Sequence, residues 1–97
     1  MNIALAAYGS RKVLMENFCM KHGHILNKHR IFAVEPGGEQ QIATRIALDE
    51  IQMVFLFADY DESHDIFEII RVCNAYNVPL ATNAATAEAF IKILEET

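Results

Sequence analysis

The amino-acid sequence predicts an α/β fold: a compact doubly wound domain of the flavodoxin-like type, with three layers and a parallel sheet of roughly four strands. Four short apolar runs are each followed by an amphipathic stretch, and no low-complexity linker separates them. The third run, MVFLFA, is apolar at every residue, which is typical of a strand covered on both faces. Alternating strands and helices favour parallel pairing through right-handed crossovers, so we expect helices on both faces of the sheet.

Each element has its own signal. The predicted strands are IALAAY (3–8), RIFAV (30–34), MVFLFA (53–58) and VPLAT (78–82). Pro79 stands at the start of the fourth strand, where no backbone donor is yet required. Ser10 is a candidate cap for a first helix that ends near Gly23. The later helices place apolar residues on single faces: Ile42, Ala43, Ile46 and Ala47, then Ile66, Ile69, Ile70 and Cys73, then Ala87, Phe90, Ile91 and Leu94.

Length and composition indicate one globular domain spanning residues 1–97 and restrict its partners. The chain is 53% hydrophobic and 22% charged, and such a small apolar domain is expected to form a homo-oligomer. A net charge of −5 and scattered basic residues argue against a nucleic-acid partner. No apolar stretch approaches the ~18 residues of a membrane span, so no membrane partner is expected.

The cysteines and histidines favour free side chains over a disulfide or a metal site. Cys19 and Cys73 lack metal-like or CxxC spacing and lie in helix-like periods, which favours buried free thiols. His22, His24 and His29 are interpreted as surface or helix-end residues, because no cysteine or second ligand period accompanies them. The opening MNIALAAYGS lacks the basic start and apolar length of a secretory signal. We therefore expect a cytoplasmic protein.

The fold predicts where a ligand binds, because ligands of open parallel sheets lie at the carboxyl ends of the strands. Four loops reach that edge, at residues 9–12, 35–41, 59–65 and 83–86. Together they supply a Lys, an Arg, several carboxylates, a His, amides and three glycines. This set suits a small phosphorylated carbonyl compound.

Local patterns leave the role of several candidates open. Lys12, in the first turn of the first helix, could pair with a phosphate, although spacing alone favours a solvated surface lysine. Gly37 and Gly38 could let the backbone approach a ligand, with Glu39 at the helix start as the base that takes a proton next to a carbonyl. Ordinary turn chemistry explains the same residues without a ligand. Asn83 could cap the fourth helix, form a polar wall for the ligand, or do both.

The acidic loop after the third strand also has two interpretations. Asp59, Asp61, Glu62, His64 and Asp65 could form a general acid–base set or a metal site. Alternatively, Asp61 and Ser63 cap the third helix and the other acids are solvated. A metal site is disfavoured, because the chain has no second spaced cluster of ligands.

Several segments resemble the methylglyoxal synthase family. NVPLATNAATAEAFI (77–91) is similar to the family's carboxyl-terminal strand–helix signature, and PGGEQQIA (36–43) to its Gly-Gly-acid-Gln-Gln segment. IALAAYGSRKVLM (3–15) resembles the opening strand and helix, and VFLFADYDESHD (54–65) takes the place of the aromatic-rich strand that ends in Asp. Because the matches keep their order over most of the chain, the resemblance implies a methylglyoxal-synthase-like fold.

The resemblance implies a lyase that converts dihydroxyacetone phosphate into methylglyoxal and inorganic phosphate without a cofactor. Glu39 stands at the position of the carboxylate that removes the proton, where the family has the shorter Asp. Lys12 corresponds to a phosphate-pairing Lys, and Asp59 to the acid that ends the aromatic strand. His64 and Asp65 are the nearest counterparts of the His and Asp that handle protons at the substrate oxygens.

Departures from the family pattern keep a second function open. Tyr8 and Gly9 stand where the family has a His-Asp pair, and the Thr- and Gly-rich phosphate loop, with the helix and strand after it, has no counterpart here. The alternative to a lyase is a non-catalytic module that binds a small anion or phosphorylated metabolite, as the family's regulatory relatives do. In either case the predicted contacts to phosphate and substrate are Lys12, Gly37, Gly38 and Asn83.

Overall fold

The computed structural model describes residues 1–59 and 65–97 and confirms the predicted α/β architecture. The strands are β1 (Asn2–Ala7), β2 (Arg30–Ala33), β3 (Met53–Phe57) and β4 (Leu80–Ala81). The helices are α1 (Lys12–Lys21), α2 (Gly23–Leu26), α3 (Glu39–Ala47), α4 (Ile66–Ala75) and α5 (Ala84–Glu95), and a 3-10 turn spans Gly9–Arg11. The four strands pair in parallel in the order β2-β1-β3-β4.

Strand β3 lies at the centre of the core, because helices cover both of its faces. All five of its residues are buried, as its uninterrupted apolar run predicts. On one face Phe55 packs with Ile3 of β1 against α1, α2 and α5, where it meets Phe18 and Ile91. On the other face Leu56 packs against α3 and α4. The sheet is therefore the middle of three layers.

Three local features differ from the sequence-based expectation. Ser10 does not cap α1, because it lies in the 3-10 turn and its hydroxyl donates to Asp59 instead. Helix α2 lies outside the predicted elements, since its four residues are too few to show a helical period. Strand β4 is shorter than VPLAT, because Pro79 has no N–H to donate and Asn83 already begins α5.

Both cysteines are free thiols, as the spacing predicts. Cys73 is 1% exposed in the core beneath α4, and burial raises its pKa to about 11. Cys19 is half-buried on α1, and burial raises its pKa as well. Both side chains are therefore protonated at neutral pH and act as small apolar groups.

The longest helix in the described ranges, α5, has 12 residues. No helix in this part of the chain combines the length and the hydrophobicity needed to cross a membrane.

Candidate active site

A carboxylate–phenol pair lies at the carboxyl edge of the sheet. Tyr8 follows the last residue of β1, and its hydroxyl donates a hydrogen bond of 2.7 Å to Oε2 of Glu39. Glu39 is the first residue of α3 and is only 4% exposed. The positive end of the helix dipole stabilises its negative charge. The carboxylate predicted to act as the base therefore lies at the edge where open parallel sheets bind ligands.

The Pro-Gly-Gly turn before α3 determines where Glu39 enters this edge. Gly37 has a φ of +87°, a backbone conformation that favours glycine. The N–H of Gly38 donates to the carbonyl oxygen of Glu35 at 2.8 Å, and a Cβ on Gly38 would lie 3.1 Å from that oxygen. Both glycines are thus required by the turn itself, and one N–H is engaged within it. The phosphate contact predicted for Gly37 and Gly38 stays a prediction.

Electrostatics keep the Tyr8 phenol protonated. Burial raises its pKa most, and the hydrogen bond to Glu39 and the negative charges of Glu39 and Asp65 raise it further. The phenol is therefore a hydrogen-bond donor throughout the physiological pH range. Asp65 directly precedes α4. The structure thus brings two of the predicted catalytic acids, Glu39 and Asp65, into the surroundings of one tyrosine.

Asp59 belongs to a second group of polar side chains, beside a different cleft. The Ser10 hydroxyl donates to its Oδ2 at 2.7 Å, and Nε of Arg11 donates to its Oδ1 at 3.0 Å. These two hydrogen bonds hold the pKa of Asp59 below its usual value. The adjoining cleft, of about 730 Å³, is lined by Arg11, Asp59 and Asn83 among others. Asp59 and Asn83 therefore lie together, apart from Glu39.

Asn83 caps helix α5. Its Oδ1 accepts a hydrogen bond from the backbone N–H of Thr86 at 2.9 Å and another from the Thr86 hydroxyl at 3.1 Å. The side chain satisfies an N–H group that the first helical turn leaves without an acceptor. The cap interpretation of Asn83 is confirmed, and its contact with a ligand stays a prediction.

Replacing Asn83 by alanine is expected to lower the free energy of unfolding by about 0.5–2 kcal/mol, because the Thr86 N–H loses its acceptor. Urea unfolding followed by circular dichroism measures the loss. Asn83→Asp keeps an acceptor at the same place and is the matched control. Equal stability of the alanine and aspartate variants would contradict the cap.

Lys12 occupies a third position, in a cleft of about 430 Å³ between α1 and the turn before α3. Glu35 and Pro36 line this cleft with it. The lysine is exposed and is the first residue of α1. Lys12 therefore lies beside the turn that leads to Glu39. Two carboxylates, Glu16 and Glu35, line the same cleft, and the contact of Lys12 with a phosphate stays a prediction.

Part of the predicted acid–base set lies outside the described residues. His64 falls within residues 60–64, as do the candidate caps Asp61 and Ser63. Their predicted roles stay predictions. Among residues 1–59 and 65–97, the His, Cys, Asp and Glu side chains form no group of three that could hold a metal ion.

One histidine differs from its predicted surroundings. His22, at the end of α1, is only 8% exposed, and its Nε2 lies 2.6 Å from Oε2 of Glu88. It was expected at the surface or at a helix end, and only the second description is correct. The spacing of Met15, Phe18 and His22, which is i, i+3 and i+7, is the signal that indicates its burial. The adjacent imidazole lowers the pKa of Glu88.

Comparison with known proteins finds relatives that are named methylglyoxal synthase. The chain is 35% identical to the methylglyoxal synthase of Caldicellulosiruptor saccharolyticus over 120 aligned positions, which cover 98% of this chain and 85% of that protein. It is 36% identical to the methylglyoxal synthase of Thermoanaerobacter sp. (strain X514) over 121 positions, which cover 99% and 92%. The crystal structure of methylglyoxal synthase from Elizabethkingia anophelis NUHP1 matches with a TM-score of 0.82 at 28% identity, covering 93% of this chain and 76% of that one. No family model matches the chain.

The alignments contain positions that this chain lacks. They extend over 120 positions although the whole chain has 97 residues, so the relatives carry residues that have no counterpart here. In this structure only residues 34–38 separate β2 from α3, and the absence of the family's phosphate loop, helix and strand at this junction stays a prediction of the resemblance. Identity and structural similarity nevertheless extend over nearly the entire chain, which belongs to the methylglyoxal synthase family.

Proposed function

We propose that this protein converts dihydroxyacetone phosphate into methylglyoxal and inorganic phosphate, with Glu39 as the catalytic base. The observation that carries the proposal is the position of the Glu39 carboxylate, at the amino end of α3 and at the carboxyl edge of the sheet. The relatives named methylglyoxal synthase support it. In this proposal the carboxylate removes a proton from the hydroxymethyl carbon next to the substrate carbonyl.

The remaining chemistry follows from that proton transfer. Loss of the proton leaves an enediolate, whose electron pair expels the phosphate from the carbon on the other side of the carbonyl as the C–O bond breaks. The resulting enol of methylglyoxal takes up a proton at its terminal carbon. A carboxylate can serve as the base here, and no electron leaves or enters the substrate, so we propose no cofactor.

Other predicted residues have roles in binding and proton transfer. Lys12 pairs with the substrate phosphate from the first turn of α1, and the Gly37–Gly38 turn lies next to the same cleft. Asp65 and His64 handle protons at the substrate oxygens. Asp59 accepts hydrogen bonds from Ser10 and Arg11 and so fixes the loop between β1 and α1, which directly precedes Lys12.

A second candidate function is a non-catalytic module that binds a phosphorylated metabolite or phosphate. Two observations favour it: Glu39 is only 4% exposed, and the relatives carry residues that have no counterpart in this chain. A substrate that reaches Glu39 requires the surrounding side chains to move. Binding at Lys12 alone does not.

The product assay distinguishes the two functions. Purified protein is incubated with dihydroxyacetone phosphate, and methylglyoxal and phosphate are measured together. The lyase is expected to form them in equal amounts, and Glu39→Gln is expected to abolish that formation. Glu95→Gln makes the same chemical change on an exposed residue of α5 and is the matched control. Calorimetric binding of phosphate or triose phosphate without turnover would support the module instead.

We also infer a cytoplasmic homo-oligomer. Large apolar side chains on several helices are exposed in the isolated chain, among them Val13, Met20, Leu48 and Ile93 at 61%, 82%, 63% and 52%. Burial of such side chains between copies stabilises an assembly of a small domain. Light scattering is expected to give a multiple of 11.0 kDa, and the mass of a single chain at micromolar concentration would contradict the inference.

A further inference from the structure

We propose that Tyr8 is a positioning residue for Glu39: its phenol holds one carboxylate oxygen of the base and so fixes the direction from which the base meets the substrate. The contact is the hydrogen bond of 2.7 Å from the Tyr8 hydroxyl to Oε2 of Glu39. The catalytic meaning of this contact rests on the proposed function. The effect of the phenol on the carboxylate does not, and it can be measured separately.

The N–H and the carbonyl of Tyr8 are both hydrogen-bonded, so the backbone from which its side chain projects is fixed. Its N–H donates to the carbonyl of Phe57 at 3.0 Å, which extends the pairing of β1 with β3 by one residue. Its own carbonyl accepts from the N–H of Arg11 at 3.0 Å. The phenol ring packs against the hydrophobic cluster on the α3 and α4 face of the sheet. The hydroxyl therefore has little freedom relative to the sheet.

Glu39 needs such a partner more than a shorter acid does. Its side chain has three rotatable bonds, and fixing them costs conformational entropy. The residue is nonetheless 4% exposed, and a buried carboxylate requires donors to remain charged. The turn at Gly37 and Gly38 fixes its backbone, and Tyr8 fixes its far end. Tyr8 and Glu39 themselves are 31 residues apart in sequence.

The charges around the phenol keep it in the donating form. Within the described residues, Glu39 at the start of α3 and Asp65 before α4 are the charged groups whose fields act on Tyr8. Both are negative and both oppose loss of the phenol proton. The tyrosine therefore donates to Glu39 throughout the physiological pH range, and it is not itself the proton acceptor in the reaction.

Tyr8→Phe tests the proposal in the enzyme assay. It removes only the hydroxyl, and we expect kcat to fall about 10- to 100-fold while KM changes less than threefold, because a hydrogen bond to a charged group is lost and the substrate contacts stay. The acid limb of the kcat/KM profile should move to higher pH, because the carboxylate loses a hydrogen-bond donor that favours its charged form. Tyr76→Phe, on a residue that is 55% exposed, is the matched control and should leave both unchanged.

A second measurement does not depend on activity. Carbon-13 NMR of glutamate-labelled protein follows the titration of the Glu39 carboxyl, which is assigned by its absence in Glu39→Gln. In Tyr8→Phe this titration should move to higher pH, in parallel with the acid limb. In Tyr8→His, whose ring can donate a hydrogen bond, it should return part of the way toward the wild-type position. Circular dichroism melting identifies a variant that does not fold, in which case the histidine variant alone is compared with wild type.

The outcomes separate the two proposals. A shifted Glu39 titration without turnover in the wild-type protein would overturn the lyase and keep the effect of Tyr8 on the carboxylate. Turnover that Tyr8→Phe leaves intact, with an unshifted pH profile, would overturn the positioning role and keep the lyase. A fall in kcat without any movement of the pH profile or of the titration would also overturn it, because general loosening of the fold explains such a result.

Discussion

Replacing Phe55 by alanine is expected to lower the free energy of unfolding by about 3–5 kcal/mol, which is the range for removing a buried phenylalanine. Phe55 lies in the middle of β3 and is 0% exposed. Its ring packs against Phe18 at a centroid distance of 5.3 Å and against Phe90 at 5.7 Å. The substitution leaves a cavity between the sheet and the α1 and α5 helices. Because small domains have a total stability of about 5–15 kcal/mol, much of the protein should unfold.

Urea unfolding monitored by circular dichroism measures this effect. Phe67→Ala makes the same change on α4, where the ring is 50% exposed, and should cost less than half as much. If the two variants lose equal stability, β3 is not the centre of the core. Melting temperature alone is a weaker measure, since the shift also depends on the enthalpy of unfolding.

Glu39→Gln is the substitution with the largest expected effect on activity, a fall in kcat of about 10²–10⁴-fold, because the base can no longer accept a proton. The amide keeps the shape of the side chain, and its carbonyl oxygen can still accept the Tyr8 hydrogen bond. The fold should therefore persist, with a circular dichroism spectrum like that of the wild type. Steady-state formation of methylglyoxal measures kcat.

Glu39→Asp distinguishes the effect of side-chain length on kcat from the effect of the negative charge. It keeps a carboxylate but draws it back by about one carbon–carbon bond, ~1.5 Å, away from the phenol. An intermediate loss of kcat is expected. A glutamine variant within tenfold of wild type would show that another group removes the proton, and Asp65 would then be the first alternative to examine.

The sequence predicted the parts of the fold that depend on local patterns. The apolar run at β3 correctly indicated a strand covered on both faces, and helical spacing placed Ile46, Ile69 and Ile91 in the core. These predictions are correct because spacing in the sequence shows on which face of an element a residue lies, and that face determines whether its side chain is buried. The helix cap at Asn83 also depends on a local pattern, since its hydrogen-bond partner, Thr86, is only three residues away in sequence.

Contacts between distant segments could not be predicted in this way. The pairing of Tyr8 with Glu39 joins the end of β1 to the start of α3, and nothing in either segment alone indicates the partner. Ser10 illustrates the same limit: its sequence context suits a helix cap, but Asp59, 49 residues away, takes its hydroxyl. The acceptor that the Ser10 hydroxyl reaches depends on distances at the edge of the folded sheet.

The division of the candidate residues among three places also follows from the fold. Glu39 faces the α3 and α4 side, Asp59 and Asn83 line the cleft near α5, and Lys12 lies beside the turn before α3. The side chains of a loop that follows a strand can lie on either face of the sheet, and the order of residues in the sequence does not determine which face. The proposed function therefore requires that a substrate bridge Lys12 and Glu39.

Hydrogen exchange at the substrate tests the central claim most directly, because it reports removal of the proton whether or not phosphate leaves. Dihydroxyacetone phosphate is incubated with the protein in D2O, and proton NMR follows its hydroxymethyl carbon and the methyl group of any methylglyoxal. We expect deuterium to enter the substrate, or to appear once per methyl group in the product, at a rate that depends on protein and disappears in Glu39→Gln. Exchange no faster than in buffer, with phosphate or triose phosphate still bound by calorimetry, would contradict the role of Glu39 as a base.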